Sequence, residues 1–395
     1  MRQDARIASA AVIAPGAWLG MLGGGQLGRM FTHAAQALGY KVMVLDPDAF
    51  SPAGAVADRH LQATYEDHGA LDELMRTCAA VTTEFENIPA GALEQIALRI
   101  PTRPSAPAVR IAQDREREKT FLANNGFAVA PFRVLRSASD CIGLPPELLP
   151  GIVKTARLGY DGKGQVRVQT EADVAAAFSS LGAQPCVLEQ LLPLALEIST
   201  LVARSAAGGI ALWPIAENEH RNGILDVSVV PARIPDALAL EARAAGTRLA
   251  ECLDYVGVLC VEMFVTTGGH LVVNEIAPRP HNSGHWSIDG ALTSQFEQQC
   301  RVLAGLPLGD TSQHTPAVMV NLLGDVWYDS PGTGATREPD WNAVLCDPRA
   351  KLHLYGKQEA RRARKMGHVT CLGGSLGEAL EAAARIKRIL GIPDH

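Results

Sequence analysis

The chain lacks paired cysteines. Its eight cysteines occur singly, at positions such as Cys78, Cys186, Cys260 and Cys371, with no C-x-x-C pair. That pattern excludes a disulfide frame and a cysteine-built zinc site, and reads as buried thiols in a reducing cytosol. The chain also lacks an apolar run of membrane-spanning length, so no membrane association is expected and a cytoplasmic location is. Basic residues are not in excess: 36 Lys and Arg against 42 Asp and Glu give a formal net charge of -6. There is thus no global attraction to nucleic acid, although a local basic patch is permitted. No repeat of fixed period is visible, and no G-K-[ST] opens a helix, which excludes a Walker A loop. Residues 1–17 are mildly basic and apolar but broken by Pro15 and Gly16, and read as a short disordered extension, not an export signal.

What is present is a long, well-packed chain. At 395 residues and 47% hydrophobic, two to four domains are expected. Residues 18–112 alternate apolar strands and amphipathic helices, the pattern of a small doubly wound sheet. Its first turn, "MLGGGQLGRM", spaces Gly23, Gly25 and Gly28 as G-x-G-x-x-G, and offers backbone amides and a helix start to an anion. Asp46, closing the second strand, stands where a dinucleotide's ribose ligand would. "QDREREKTFLANNG" then reads as a charged helix ending at Gly126. Beyond it the text changes to hairpins. "GIVKTARLGYDGKGQVRVQT" is strand, glycine turn, strand; "CVLEQLLP" reads as a connector; and a helix near 235–253 precedes the hairpin "GVLCVEMFVTTGGHLVVNEIAP". The class is α/β followed by α+β.

Three stretches carry chemistry. The loop "YDGKGQ" places Gly159, Gly162 and Gly164 around Tyr160, Asp161 and Lys163, so that backbone amides and a lysine can close over phosphate oxygens; the plainer alternative is a hairpin turn. Lys154, in an apolar strand, needs a partner for its charge. Glu262 and Glu275 lie on paired strands, opposite or diagonal according to the turn register. Two like charges there call for a cation, and magnesium takes one or two carboxylates together with phosphates and water; the alternative is that both face solvent. The run "NEIAPRPHNSGHW" gathers Asn274, Arg279, His281, Asn282, Ser283 and His285. His281 and His285 have H-x-x-x-H spacing, but Pro280 and Gly284 disfavour a zinc helix and hydrogen bonding is the better reading.

Together, "GGGQLGRM", "GYDGKGQ", "NEIAPRPHNSGHW" and "RKMGH" resemble the signatures of the ATP-grasp superfamily, and within it the N5-carboxyaminoimidazole ribonucleotide synthase family. The resemblance covers nearly the whole chain from Trp18. It implies an ATP-grasp fold: a Rossmann-like substrate domain at 18–112, a lid at 113–190, a central catalytic part at 191–330 and a small C-terminal domain at 331–395. It implies ATP held by Arg115 and Lys154, by the loop Gly159, Tyr160, Asp161, Gly162, Lys163, Gly164 and Gln165, by Glu189, Gln190, Leu191 and Leu192 at the adenine edge, by Glu197 at the ribose, and by His220 and Asn274 near the phosphates. Glu262 and Glu275 would bind magnesium, with manganese as an alternative. The ribonucleotide would meet Gly25, Gln26, Leu27, Glu84, His281, Asn282, Lys357, Arg364 and Lys365. Tyr160, Asp161 and Arg279 are nominated as catalytic. The implied reaction carboxylates 5-aminoimidazole ribonucleotide with bicarbonate at the expense of ATP, and a homodimer is implied as well. Two rivals are a dinucleotide-dependent oxidoreductase built on the first loop and a non-catalytic nucleotide-binding regulator.

Overall fold

The computed structural model describes residues 12–159, 163–328 and 336–393. Strands Trp18–Leu22, Lys41–Leu45, Arg59–Leu61 and Ala80–Thr83 form a parallel sheet in the order third, second, first, fourth. Their apolar runs follow from burial on both faces. Leu19, Met21 and Val44 pack with Phe31 on one side, and Leu22, Met43 and Leu45 with Leu71 and Leu74 on the other. Residues 13–17, expected to be disordered, are docked. The Ile13 amide donates to the Ala304 carbonyl and the Tyr40 hydroxyl to the Ile13 carbonyl, while Ala17 packs on the core.

The lid is a four-stranded antiparallel sheet ordered Phe132–Leu135, Cys186–Gln190, Gly151–Thr155, Gln165–Val168. The expected connector "CVLEQLLP" thus begins with an interior strand. Val187 and Leu188 are fully buried and the strand pairs on both edges, which a connector could not do. The helix Arg115–Asn124, expected with the lid, sits on the central core instead: Leu122 and the following Phe127 are buried with Leu249, Val261 and Val273.

A nine-stranded sheet carries the rest. Its main path runs Leu271–Ala277, Gly257–Thr266, Leu194–Arg204, Ala216–Arg221, Ile224–Val230, Ala317–Leu323, Lys365–Leu372, Ala350–Leu354, and Ile210–Leu212 pairs with Leu194–Arg204 off that path. The small C-terminal domain expected from 331 does not stand apart but continues this sheet, beginning at the strand Ala317–Leu323. The strand Ala317–Leu323 pairs with a central strand on one edge and with Lys365–Leu372 on the other, because Val318, Val320 and Leu322 need the helix Leu376–Leu390 to cover them. All eight cysteines are free; six are buried, while Cys252 and Cys346 are exposed, against the expectation of uniform burial. Among the described residues, no helix is long and apolar enough to cross a membrane.

The long helix Asp236–Cys252 lies against the central sheet at Gly246, where an added Cβ would fall 2.8 Å from Thr200 Cγ2 and 3.0 Å from Val202 Cγ2. Overpacking of this kind costs about 1–3 kcal/mol. Gly246→Val should accordingly lower the urea midpoint at unchanged m-value; an unmoved midpoint would show that the helix can shift away freely.

Candidate active site

Between the lid and the central sheet lies a cleft of about 700 Å3. The structure brings to it Arg115, Lys154, Gly159, Lys163, Gly164 and Gln165 from the helix and the lid. Glu189, Gln190, Leu191 and Leu192 line it at the exit of the interior lid strand, and Glu197, His220, Glu262, Asn274 and Glu275 line it from the central sheet. Arg279, His281, Asn282 and Lys365 complete the wall. Tyr160, Asp161 and Gly162 lie outside the described residues.

Charge in this cleft is organised around carboxylates. Lys154 Nζ lies 3.1 Å from Glu189 Oε2 on the neighbouring strand. Lys119 Nζ, fully buried, reaches the same oxygen at 3.1 Å and donates to the Asn274 carbonyl at 2.8 Å. Burial would raise the Glu189 carboxyl, but Lys119, Lys154 and Arg115 outweigh it and hold it at about 2. The Lys154 ammonium is pushed down, chiefly by burial. Arg115 binds Glu275 at 3.3 Å and lies 3.9 Å from the second oxygen of Glu189. Glu118, one turn along the same helix, is carried up to about 8 by burial while accepting from the Ile276 amide at 2.6 Å.

Glu262 and Glu275 prove to be direct cross-strand partners, with a bulge immediately after Glu262. Each has its own cation: His281 Nε2 is 2.8 Å from Glu262, and Arg115 serves Glu275. Burial opposes a charged His281, yet the Cys260 sulfur and the Glu262 carboxylate carry its imidazole up to about 10. In turn, His281 and His220 outweigh burial and hold Glu262 at about 2. His281 Nδ1 meets Ser283 Oγ at 2.9 Å, and a buried chain runs on through Ser199, Asn218 and Ser228 into the sheet. His285 Nδ1 instead contacts Gln295 at 3.1 Å, so the two imidazoles of H-x-x-x-H engage different partners, although the His281 backbone also bonds the Gln295 amide. Arg279 donates to Glu86 at 2.6 Å. His220 Nδ1 lies 2.9 Å from Glu197, whose pull, with that of Glu262, raises the imidazole against the effect of burial. Asn274 Oδ1 and both side-chain polar atoms of Asn282 are buried and have no partner among the described residues, leaving them for a ligand.

The first glycine loop departs from expectation. Its amides are engaged by the protein's own carboxylates: Gly24 donates to Asp46 Oδ2 at 2.7 Å, Gly25 to Glu84 Oε2 at 2.8 Å and Leu27 to Glu84 Oε1 at 3.1 Å. Asp46 also accepts from the Tyr65 hydroxyl at 2.8 Å, which removes it as a dinucleotide ribose ligand. A Cβ on Gly25 would collide with the Glu84 carboxylate. Gln26 turns outward, where its Oε1 accepts from Lys357 Nζ at 2.6 Å, and Lys357 also donates to the Lys365 carbonyl at 2.6 Å. Lys357 and Arg364 line a second cavity of about 200 Å3 with Asp48 and Phe50, while the Lys365 side chain lines the main cleft. The basic run therefore divides between two places.

Reasoning from sequence missed Lys119, Glu118 and Glu86. The first two carried a signal: Arg115, Glu118 and Lys119 fall at i, i+3 and i+4, so three charges of "REREKT" share one helix face. Glu86 carried none, since only the fold brings it to Arg279.

Three family models match consecutive parts of the chain: a ribonucleotide synthetase preATP-grasp domain over residues 17–113, an ATP-grasp domain over 120–296, and a phosphoribosylaminoimidazole carboxylase C-terminal domain over 317–382. The chain is 45% identical to the N5-carboxyaminoimidazole ribonucleotide synthase of Brucella melitensis, over 90% of this chain and 96% of that one. An ADP complex of an N5-carboxyaminoimidazole ribonucleotide synthetase superposes with a TM-score of 0.88 at 41% identity, covering 96% and 98% of the two chains. The Aspergillus clavatus synthase bound to ADP and 5-aminoimidazole ribonucleotide superposes with a TM-score of 0.86 at 29% identity, covering 95% and 99%.

A pH test follows from Glu189. Its folded pKa of about 2 lies below the ordinary 4.5, so its contribution to stability is present above the ordinary value and is lost as pH falls toward the folded one. Between about pH 5 and about pH 2, the urea midpoint of Glu189→Gln should fall less steeply than that of the wild type; parallel curves would mean that the lysines do not hold this carboxylate.

Proposed function

The chain belongs to the N5-carboxyaminoimidazole ribonucleotide synthase family of ATP-grasp enzymes, and from that membership we propose how its residues divide the ATP-dependent conversion of 5-aminoimidazole ribonucleotide to N5-carboxyaminoimidazole ribonucleotide, a step of purine biosynthesis. The observation that carries the reading is the convergence of Lys154, the glycine loop ends and the Glu262 and Glu275 pair on one cleft. ATP lies there, with its adenine edge on the backbone of 189–192, its ribose at Glu197, and its phosphates toward Arg115, Lys154, Lys163, His220 and Asn274.

The donor set suits a hard cation. It offers two carboxylate side chains in register and the unpartnered amide oxygen of Asn274, and among the described residues no three His, Cys, Asp or Glu side chains could hold a metal unaided. Magnesium, or manganese, would then complete its shell with phosphate and water oxygens. When bound it supplies positive charge for the transferring phosphoryl group.

Bicarbonate is a poor electrophile because its leaving group is hydroxide. An oxygen of bicarbonate attacks the γ-phosphorus, the bond to ADP breaks, and carboxyphosphate forms with phosphate as its new leaving group. The carboxyphosphate, or carbon dioxide released from it, then meets the exocyclic amine. A small cavity of about 70 Å3 adjoins the cleft and is lined by Arg115, Arg279 and His281. Glu86, Glu118 and Glu275 line it as well, so its wall carries both signs, and Arg279, its direction fixed by Glu86, is the cation assigned to the bicarbonate-derived carboxylate. Tyr160 and Asp161, from their place in the glycine loop's sequence, are assigned to positioning or proton handling in the amine step. Lys154 and the loop amides hold the charge that develops on the phosphoryl group, and the closed lid excludes water from the intermediate. The ribonucleotide phosphate is assigned to Lys357 and Arg364, beside Gln26, and its base to the side of the cleft bearing His281, Asn282 and Lys365. With both Glu84 oxygens on backbone amides, that residue shapes the loop, and Gly25 and Leu27 bound the ribonucleotide site. A homodimer remains the expected assembly, to be read by light scattering.

ADP release should require ATP, bicarbonate and the ribonucleotide together; folded protein that releases none would refute this function. Arg279→Lys should lower kcat about a hundredfold, and wild-type turnover would remove its proposed role. Gln26→Ala should raise the KM for the ribonucleotide about tenfold and leave that for ATP within about twofold; the reverse pattern would return the first loop to ATP.

A further inference from the structure

Lys119 does not itself line the cleft, yet its ammonium joins two sheets. It is fully buried on the helix Arg115–Asn124. It donates to the carbonyl of Asn274, on the central strand Leu271–Ala277, and lies 3.1 Å from Glu189 Oε2, on the interior lid strand. Lys154 Nζ lies at the same distance from that same oxygen. One buried carboxylate oxygen thus carries two lysines, of which Lys154 is the one that lines the cleft.

We propose that Lys119 is a positioning residue for ATP: it is the permanent counter-ion of Glu189, and so leaves Lys154 free to turn to the nucleotide's phosphates. The reason is electrostatic. Glu189 is only 3% exposed, and a carboxylate buried to that degree is costly once its cation departs. Without Lys119, movement of Lys154 to a phosphate would strand Glu189. Arg115 could not take its place, being 3.9 Å from the other oxygen and bonded to Glu275. ATP binding would then bear the cost of unpairing. With Lys119 in place, Glu189 keeps one cation whichever way Lys154 points. The second bond of Lys119, to the Asn274 carbonyl, also ties the lid strand to the strand that carries Glu275.

This inference rests on the cleft being the ATP site. It is tested by steady-state ADP release from the full chain with ATP varied and bicarbonate and ribonucleotide saturating. Lys119→Met, similar in length and apolar, should raise the KM for ATP about tenfold or more, while the KM for the ribonucleotide stays within about twofold. Adding Glu189→Gln to that variant removes the stranded charge and should bring the KM for ATP back to within about threefold of wild type. A purely structural role would lower kcat at unchanged KM, and that result would overturn the proposal. If the single variant does not fold, the double variant decides alone, and a KM for ATP still raised about tenfold there overturns it. Wild-type protein that releases no ADP would instead count against the function, and ADP affinities of the same variants, measured by calorimetry, would then judge Lys119 separately.

Discussion

Glu189 brings a negative charge into the seam between the lid and the central sheet, where only cations within hydrogen-bonding distance make its burial tolerable. Lys154 and Lys119 supply them, from a lid strand and from the second turn of one helix, while Arg115 adds its charge from 3.9 Å. The consequence is mechanical as well as electrostatic. Lys154 is already directed toward the cleft, the helix is pinned against both sheets, and the strand bearing Asn274 and Glu275 is referred to the lid through a single ammonium. Across the cleft, Glu262 and Glu275 repeat the arrangement with His281 and Arg115 as separate partners. The site is a lattice of alternating charges whose members come from every part of the fold.

The same logic closes the glycine loop of the N-terminal sheet. Glycines there expose a row of amides and a helix start, a combination that attracts any anion. The anions that arrive are Asp46 and Glu84, held in place by the parallel strands that precede them. Because the loop is filled from inside, Gln26 is turned toward the C-terminal part, and Lys357 binds it there. The loop has become a fixed surface against which the basic segment docks.

Much of this was legible beforehand for a physical reason. Strand and helix periodicity, glycine turns and the isolated Lys154 are local features, and local features survive in one dimension. The boundaries failed where burial crossed them. "CVLEQ" looked like a connector because nothing nearby shows that two strands will pair with it. The strand Ala317–Leu323 looked central because its C-terminal partner lies some forty residues later. Lys119 was hidden among the charges of a helix that reads as solvated, although its spacing from Arg115 put both on one face. Glu86 could not be found at all, since its value is conferred by Arg279, distant in the chain and 2.6 Å away in space.

By itself, then, the order of residues determined the class of fold and several of the side chains that line the cleft, because residue type, spacing and local period decide those things. Tertiary structure decided which charge meets which. It set Glu262 directly opposite Glu275, gave Glu189 two lysines, and filled the first glycine loop with the protein's own carboxylates. Pairing energies depend on distance and burial, and neither exists until the chain has folded.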